Sequence, residues 1–115
     1  MTIKEFYEKI GGDYDEVLGR LFSEALIKKF LIKFLTDKSY QTFFEEIENQ
    51  NIEEAFRAAH TLKGVCQNLG LGTLFKSSSE AAEALRGGQN NVTQPMLDKL
   101  KEDYEYTVEC LKAID

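Results

Sequence analysis

Tryptophan is absent from the chain, proline and histidine occur once each, and there are only two cysteines. A lone proline, Pro95, excludes polyproline segments and Pro-rich linkers and leaves helices free to run unbroken. One histidine and two cysteines far apart, Cys66 and Cys110, provide no ligand pair at zinc-like spacing, so no metal site is expected. The thiols could pair in an exported protein. Each, however, falls on the apolar side of a predicted helix, and the opening MTIKEFYEKIGGDYDE has no apolar run of signal-peptide length. Buried free thiols in a cytoplasmic protein are expected. No window approaches the roughly 18 apolar residues of a membrane span. Positive charge is also scarce, with 14 Lys and Arg against 20 Asp and Glu, a net charge of −6 and a pI near 4.9. Without a basic stripe to displace counterions, nucleic acid is excluded as a partner. Alternation of the strand type is missing throughout, which excludes a β fold.

What remains is 43% apolar residues punctuated as helices. A chain of 115 residues makes a single domain with a core that needs no staples. Thr2 with Glu5 has the form of a capping box, and Gly11-Gly12 stops that first helix. Asp13 can cap a second segment that breaks near Gly19–Ser23 and continues to about Leu35. There Leu26, Ile27, Phe30, Leu31, Phe34 and Leu35 form an apolar stripe, with Lys28, Lys29 and Lys33 off it. Such a helix could lie on a membrane surface, but facing a core is the commoner arrangement. Asp37 or Ser39 can cap the next helix, Asn51 with Glu54 repeats the capping-box pattern, and Thr73 opens a helix to about Arg86. In that helix Leu74, Ser78, Ala81 and Leu85 make a narrow seam for a close neighbour. Thr93 caps the last helix, with Pro95 in its first turn. The expected fold is all-α: an antiparallel four-helix bundle over about 37–114, with additional short N-terminal helices over about 1–35.

The segment AAHTLKGVCQNLG, residues 58–70, holds the single histidine. At about 100° per residue, with His60 at zero, Val65, Ala58, Leu69, Leu62, Ala55, Cys66, Ala59 and Ile52 fall between about 140° and 280°. That arc must face the core. Within about 60° of His60 lie Lys63, Phe56, Gln67, Glu53, Gly64 and Arg57, so the imidazole is predicted to be exposed. It could be an incidental surface histidine. Gly64 argues otherwise, because an exposed mid-helix glycine weakens its helix by about 1 kcal/mol unless something needs the missing side chain. One turn from His60, it clears space for a large object. Lys63 places positive charge beside whatever the ring carries. The face has no Ser or Cys nucleophile and no second carboxylate site, so a hydrolase is not indicated. A neutral imidazole could accept a group, most naturally phosphoryl, from a donor held by another protein.

His60-Thr61-Leu62-Lys63-Gly64, followed by Asn68-Leu69-Gly70 and preceded by Ala58-Ala59, resembles the signature of histidine-containing phosphotransfer (HPt) domains of multistep two-component phosphorelays. The similarity covers roughly residues 20–112. The resemblance implies a four-helix bundle without kinase activity of its own, a carrier and not a self-contained enzyme. His60 would take a phosphoryl group through Nε2 from the aspartyl phosphate of a response-regulator receiver domain, or from a sensor histidine kinase (hybrid kinases included), and pass it to another receiver aspartate. Lys63 would stabilise the phosphoryl oxygens and Gly64 would permit docking. The wheel, rather than the motif, adds Phe56, Arg57, Gln67 and Leu71 as a docking rim. No cofactor is expected in this chain, since the Mg2+ of such transfers belongs to the receiver, and a monomer is expected.

One position departs from the family pattern. Many relatives carry Glu or Gln 22 residues after the histidine, where it orients the ring; here that residue is Ala82. Glu83, water or Gln67 would then have to hold the imidazole. The altered position keeps open a helical adaptor that binds a receiver or partner helix without being phosphorylated. A detached piece of a larger sensor kinase is a third reading; the sequence has no Gly-rich nucleotide box, so ATP would come from elsewhere.

Overall fold

Local signals at the ends of the helices fix where the chain turns. The computed structural model describes residues 1–115 and contains seven α-helices and no strand. In α1 (Ile3–Lys9) the capping box forms as expected: the Thr2 hydroxyl accepts from Glu5 N–H and the Glu5 carboxylate accepts from Thr2 N–H. Asp13 caps α2 (Tyr14–Leu21), its carboxylate accepting from Glu16 N–H. The expected break falls at Phe22, a left-handed residue with φ 70° and ψ −17°. Ser23 then caps α3 (Glu24–Phe34). Thr93 caps α7 (Gln94–Lys112), with Pro95 in the first turn.

Two expected caps do not form. α4 (Ser39–Glu48) starts after Lys38 with no side-chain cap, because the Asp37 carboxylate folds onto Ser39 N–H at 2.8 Å and makes a local turn. α5 (Ile52–Leu69) starts after Asn51, also without a side-chain cap. Glu54 cannot complete a box there, since its carboxylate is drawn to Arg57 at 2.7 Å. The helix that follows, α6 (Gly72–Ala84), ends two residues before the expected Arg86. A 3-10 turn over Arg86–Gly88 takes its place, with Gly87 at φ 74°.

The four elements α4–α7 form the bundle. α5 packs between α4 and α6, and α7 closes against α6. Tyr40 of α4 stacks on Tyr104 of α7, ring centroids 3.7 Å apart and planes within 5°. Leu62, Cys66, Leu74, Leu85 and Leu100 are fully buried between them. The small seam of α6 is real: Leu74, Ser78, Ala81 and Leu85 are all buried, and Ser78 satisfies its hydroxyl on the Leu74 carbonyl at 2.7 Å. α3 lies core-side through Ile27, Leu31 and Phe34, while Leu26 and Ile32 stay exposed. Both cysteines are buried and free, and burial pushes the Cys66 thiol up to about 12.

The N-terminal helices are tied to the far end of α5. The Tyr7 hydroxyl donates to the Leu69 carbonyl at 2.7 Å, and Thr73 N–H donates to the Ile10 carbonyl at 3.1 Å. A Cβ on Gly72 would sit 1.9 Å from the Gly11 carbonyl oxygen, so only glycine allows the two turns to meet. This contact braces the C-terminal end of the histidine helix. No helix of the chain is long and apolar enough to cross a membrane.

Candidate functional site

α5 is a five-turn helix with one apolar and one polar side. Ala55, Ala58, Ala59, Leu62, Cys66 and Leu69 are buried, which places the opposite side in solvent. His60 is exposed there, with Arg57, Thr61 and Gln67, while Lys63 and Gly64 are half-buried. A Cβ added to Gly64 would meet nothing within 4 Å, so the fold itself has no need of glycine at that position. The chain carries a helix-weakening residue on an open surface beside its only imidazole.

The charges around the ring are unequally committed. Arg57 pairs with Glu53 at 3.1 Å and Glu54 at 2.7 Å, Arg86 pairs with Glu83 at 2.9 Å, and Arg20 reaches Glu16 at 3.4 Å. Lys63 enters no ion pair. On a helix, residues three apart have Cβ atoms about 5–6 Å from one another. The free ammonium of Lys63 can therefore meet an anion carried on His60. That combination suits chemistry in which negative charge arrives at the ring from outside.

His60 has an aromatic neighbour instead of a polar one. The Phe56 ring, one turn earlier, lies 5.8 Å away centroid to centroid at an interplanar angle of 23°. The Arg86 guanidinium sits over the same phenyl ring, its Cζ 5.6 Å from the centroid. Ala82 is 1% exposed and turned into the core, and the Glu83 carboxylate is held by Arg86. Glu83 therefore does not substitute for the missing orienting side chain.

Leu71 corrects the expected docking rim. It is 0% exposed and cannot touch a partner. α5 ends at Gly70, whose left-handed conformation (φ 67°) reverses the chain, so a wheel extended past that residue points the wrong way. Leu71 N–H returns to the Cys66 carbonyl, while its side chain joins the core.

Sequence reasoning missed three neighbours of this face. Arg86 arrives from the turn after α6, and only the folded chain brings it to Phe56. Arg20 donates to the Gln67 carbonyl at 3.2 Å, joining α2 to the polar side of α5. Beside it a cleft of about 410 Å³ runs between α3 and α5, lined by residues that include Arg20, Phe30, Lys33, Phe34, Val65 and Asn68. Phe22, next in the chain after Leu21 of the cleft wall, is 86% exposed. An apolar residue just before a helix cap ordinarily packs against the first turn, which would have predicted a contact between Phe22 and Ile27. Left-handed Phe22 points to solvent instead.

A family model described as Hpt domain matches residues 22–109, most of the chain and all of the histidine helix. No curated protein and no solved structure matches it.

Proposed function

Starting from a chain that belongs to the Hpt domain family, and so has a phosphotransfer role in phosphorelays, we propose that His60 is the phosphoryl carrier between receiver aspartates. The observation that supports this most strongly is the exposed imidazole beside a free ammonium, Lys63, and an open glycine, Gly64. A neutral ring nitrogen attacks the phosphorus of a receiver's aspartyl phosphate. The P–N bond forms as the P–O bond breaks, and the aspartate carboxylate leaves with the bonding pair. Lys63 offsets the charge on the phosphoryl oxygens, and the receiver's Mg2+ assists from the partner's side. Because little energy separates the two phosphoryl linkages, the step runs in either direction, and a second receiver can take the group by the reverse attack.

Docking covers Gly64, Gln67 and Arg57, while Phe56, half-buried under the Arg86 guanidinium, is turned to the imidazole instead of the receiver. The exposed Phe22 and the cleft beside Gln67 extend that surface for the same receiver. A hybrid sensor histidine kinase would load His60 in the same way, through the aspartyl phosphate of its own receiver. In this reading the chain is a carrier and not a kinase.

The experiment is exchange with a phosphorylated receiver. Label should pass to the wild-type chain, leave it on addition of an unphosphorylated second receiver, and never reach His60→Gln. The buried methyl of Ala82, where an orienting group would be expected, favours one second reading, an adaptor that binds receivers unmodified. Tight binding with no label on the wild-type chain would establish the adaptor and refute the carrier.

A further inference from the structure

We infer that Phe56 is a positioning residue for His60: its ring, steadied by the Arg86–Glu83 pair, sets the plane of the imidazole where no side chain holds it by a hydrogen bond. This rests on the phosphotransfer reading and adds how the ring is oriented for it. Three contacts lie in series. The imidazole stacks on Phe56 at 5.8 Å and 23°, the Arg86 guanidinium lies over Phe56 at 5.6 Å, and Glu83 fixes Arg86 at 2.9 Å.

Helix geometry explains the arrangement. Side chains lean toward the N-terminus of their helix, so His60 leans over residue 56 and away from residue 64. The torsion that turns an imidazole about its Cβ–Cγ bond is broad, and an unsupported ring would sweep its nitrogens through a wide arc. A phenyl ring at this spacing falls within the 4.5–7 Å range of favourable aromatic pairs and limits that sweep. The guanidinium over the phenyl ring restrains Phe56 in turn. The ring therefore has a wall on its N-terminal side and, at Gly64, open space on the other. Stacking engages the face of the imidazole, leaving both nitrogens in the ring plane free for a phosphoryl group. It also leaves the tautomer unfixed, because only a hydrogen bond to one nitrogen sets which of them carries the proton.

The test uses the chain's single histidine, whose ring resonances need no assignment among others. Phe56→Leu, Phe56→Tyr and Arg86→Gln are compared with wild type by three readouts. The first is the ring-current displacement of the imidazole protons. The second is phosphorylation by phosphoramidate, in which the P–N bond to ammonia breaks as the P–N bond to His60 forms, with no docking required. The third is transfer from a phosphorylated receiver, separated into affinity and maximal rate.

Phe56→Leu should lose the ring-current displacement and slow both reactions by about 2- to 10-fold at saturating donor, as expected for loss of one aromatic pair. Receiver affinity should stay within about 2-fold of wild type on the same reasoning, since the imidazole–phenyl contact is internal to the chain. Phe56→Tyr should restore both rates, and Arg86→Gln should fall between wild type and Phe56→Leu. Unchanged displacement and rates in Phe56→Leu would overturn the inference. So would a loss confined to receiver affinity with phosphoramidate unaffected, which would make Phe56 a docking contact. Failure of the phosphotransfer reading looks different: the wild-type chain itself would remain unphosphorylated by either donor.

Discussion

Replacing Gly64 separates what the fold needs from what a partner needs. Glycine in a helix interior is about 0.8–1.0 kcal/mol less favourable than alanine. A Cβ at position 64 would touch nothing within 4 Å, so no steric term offsets that gain. Gly64→Ala should therefore stabilise the isolated chain by about 1 kcal/mol. Unfolding entropy near 2.1 cal/mol/K per residue sums to about 0.24 kcal/mol/K over this chain, which converts the gain to a Tm increase of about 4 °C. Melting followed by circular dichroism reads that shift directly. Gly64→Leu should also remain fully helical, since its side chain extends into solvent. The two variants should diverge from wild type in transfer from a phosphorylated receiver, modestly for alanine and severely for leucine. Phosphorylation by phosphoramidate, a donor small enough to need no clearance, should change little in either. A lower Tm in Gly64→Ala would mean that the position is crowded after all. Normal receiver transfer in Gly64→Leu would mean that the glycine is not there for a partner.

Other perturbations probe the scaffold. Leu62→Ala, at a fully buried position on α5, should cost about 2–5 kcal/mol in urea unfolding, and a loss below 1 kcal/mol would contradict the packing described. Gly72→Ala drives a Cβ toward the Gly11 carbonyl and should destabilise by about 1–3 kcal/mol, releasing α1 from the end of α5; unchanged hydrogen exchange at Thr73 N–H would refute that tie. The hydrogen bond from Thr2 N–H, with the Thr2 hydroxyl close by, holds the Glu5 carboxyl below its ordinary value of 4.5. Its support of α1 is thus complete above that value and is lost as pH falls through the lowered one, so α1 should fray in acid. In Glu5→Gln the Thr2 amide should exchange without that acid dependence, and an identical pH profile in both proteins would show that Glu5 is not the titrating group.

How much of this was legible in the sequence depends on the range of the interaction. Thr2 with Glu5, Asp13 and Thr93 act on residues three positions away, and their caps form as the spacing predicts. The exposure of His60 was equally readable, because an 18-residue helix with one apolar arc leaves little choice of orientation. Asn51 with Glu54 has the same local pattern yet makes no cap, since Arg57 competes for the carboxylate one turn later. The same periodicity misplaced Leu71, because it was carried across Gly70, where the helix had already ended. Phe56 was legible as a neighbour of His60 but not as its support. That role depends on Arg86, 30 residues away in sequence and brought over the phenyl ring only when α6 packs on α5. The cleft between α3 and α5 was hidden for a similar reason, being a product of how two helices meet and not of either alone.

A phosphoryl carrier must form a covalent bond at one nitrogen-bearing ring. Mass spectrometry of the chain after incubation with a phosphorylated receiver, with fragmentation to locate the modification, reads that bond directly. One phosphoryl group on His60, lost in acid and retained in alkali, is the predicted result. A chain that binds the receiver yet emerges unmodified, or one modified elsewhere with His60 bare, would contradict it.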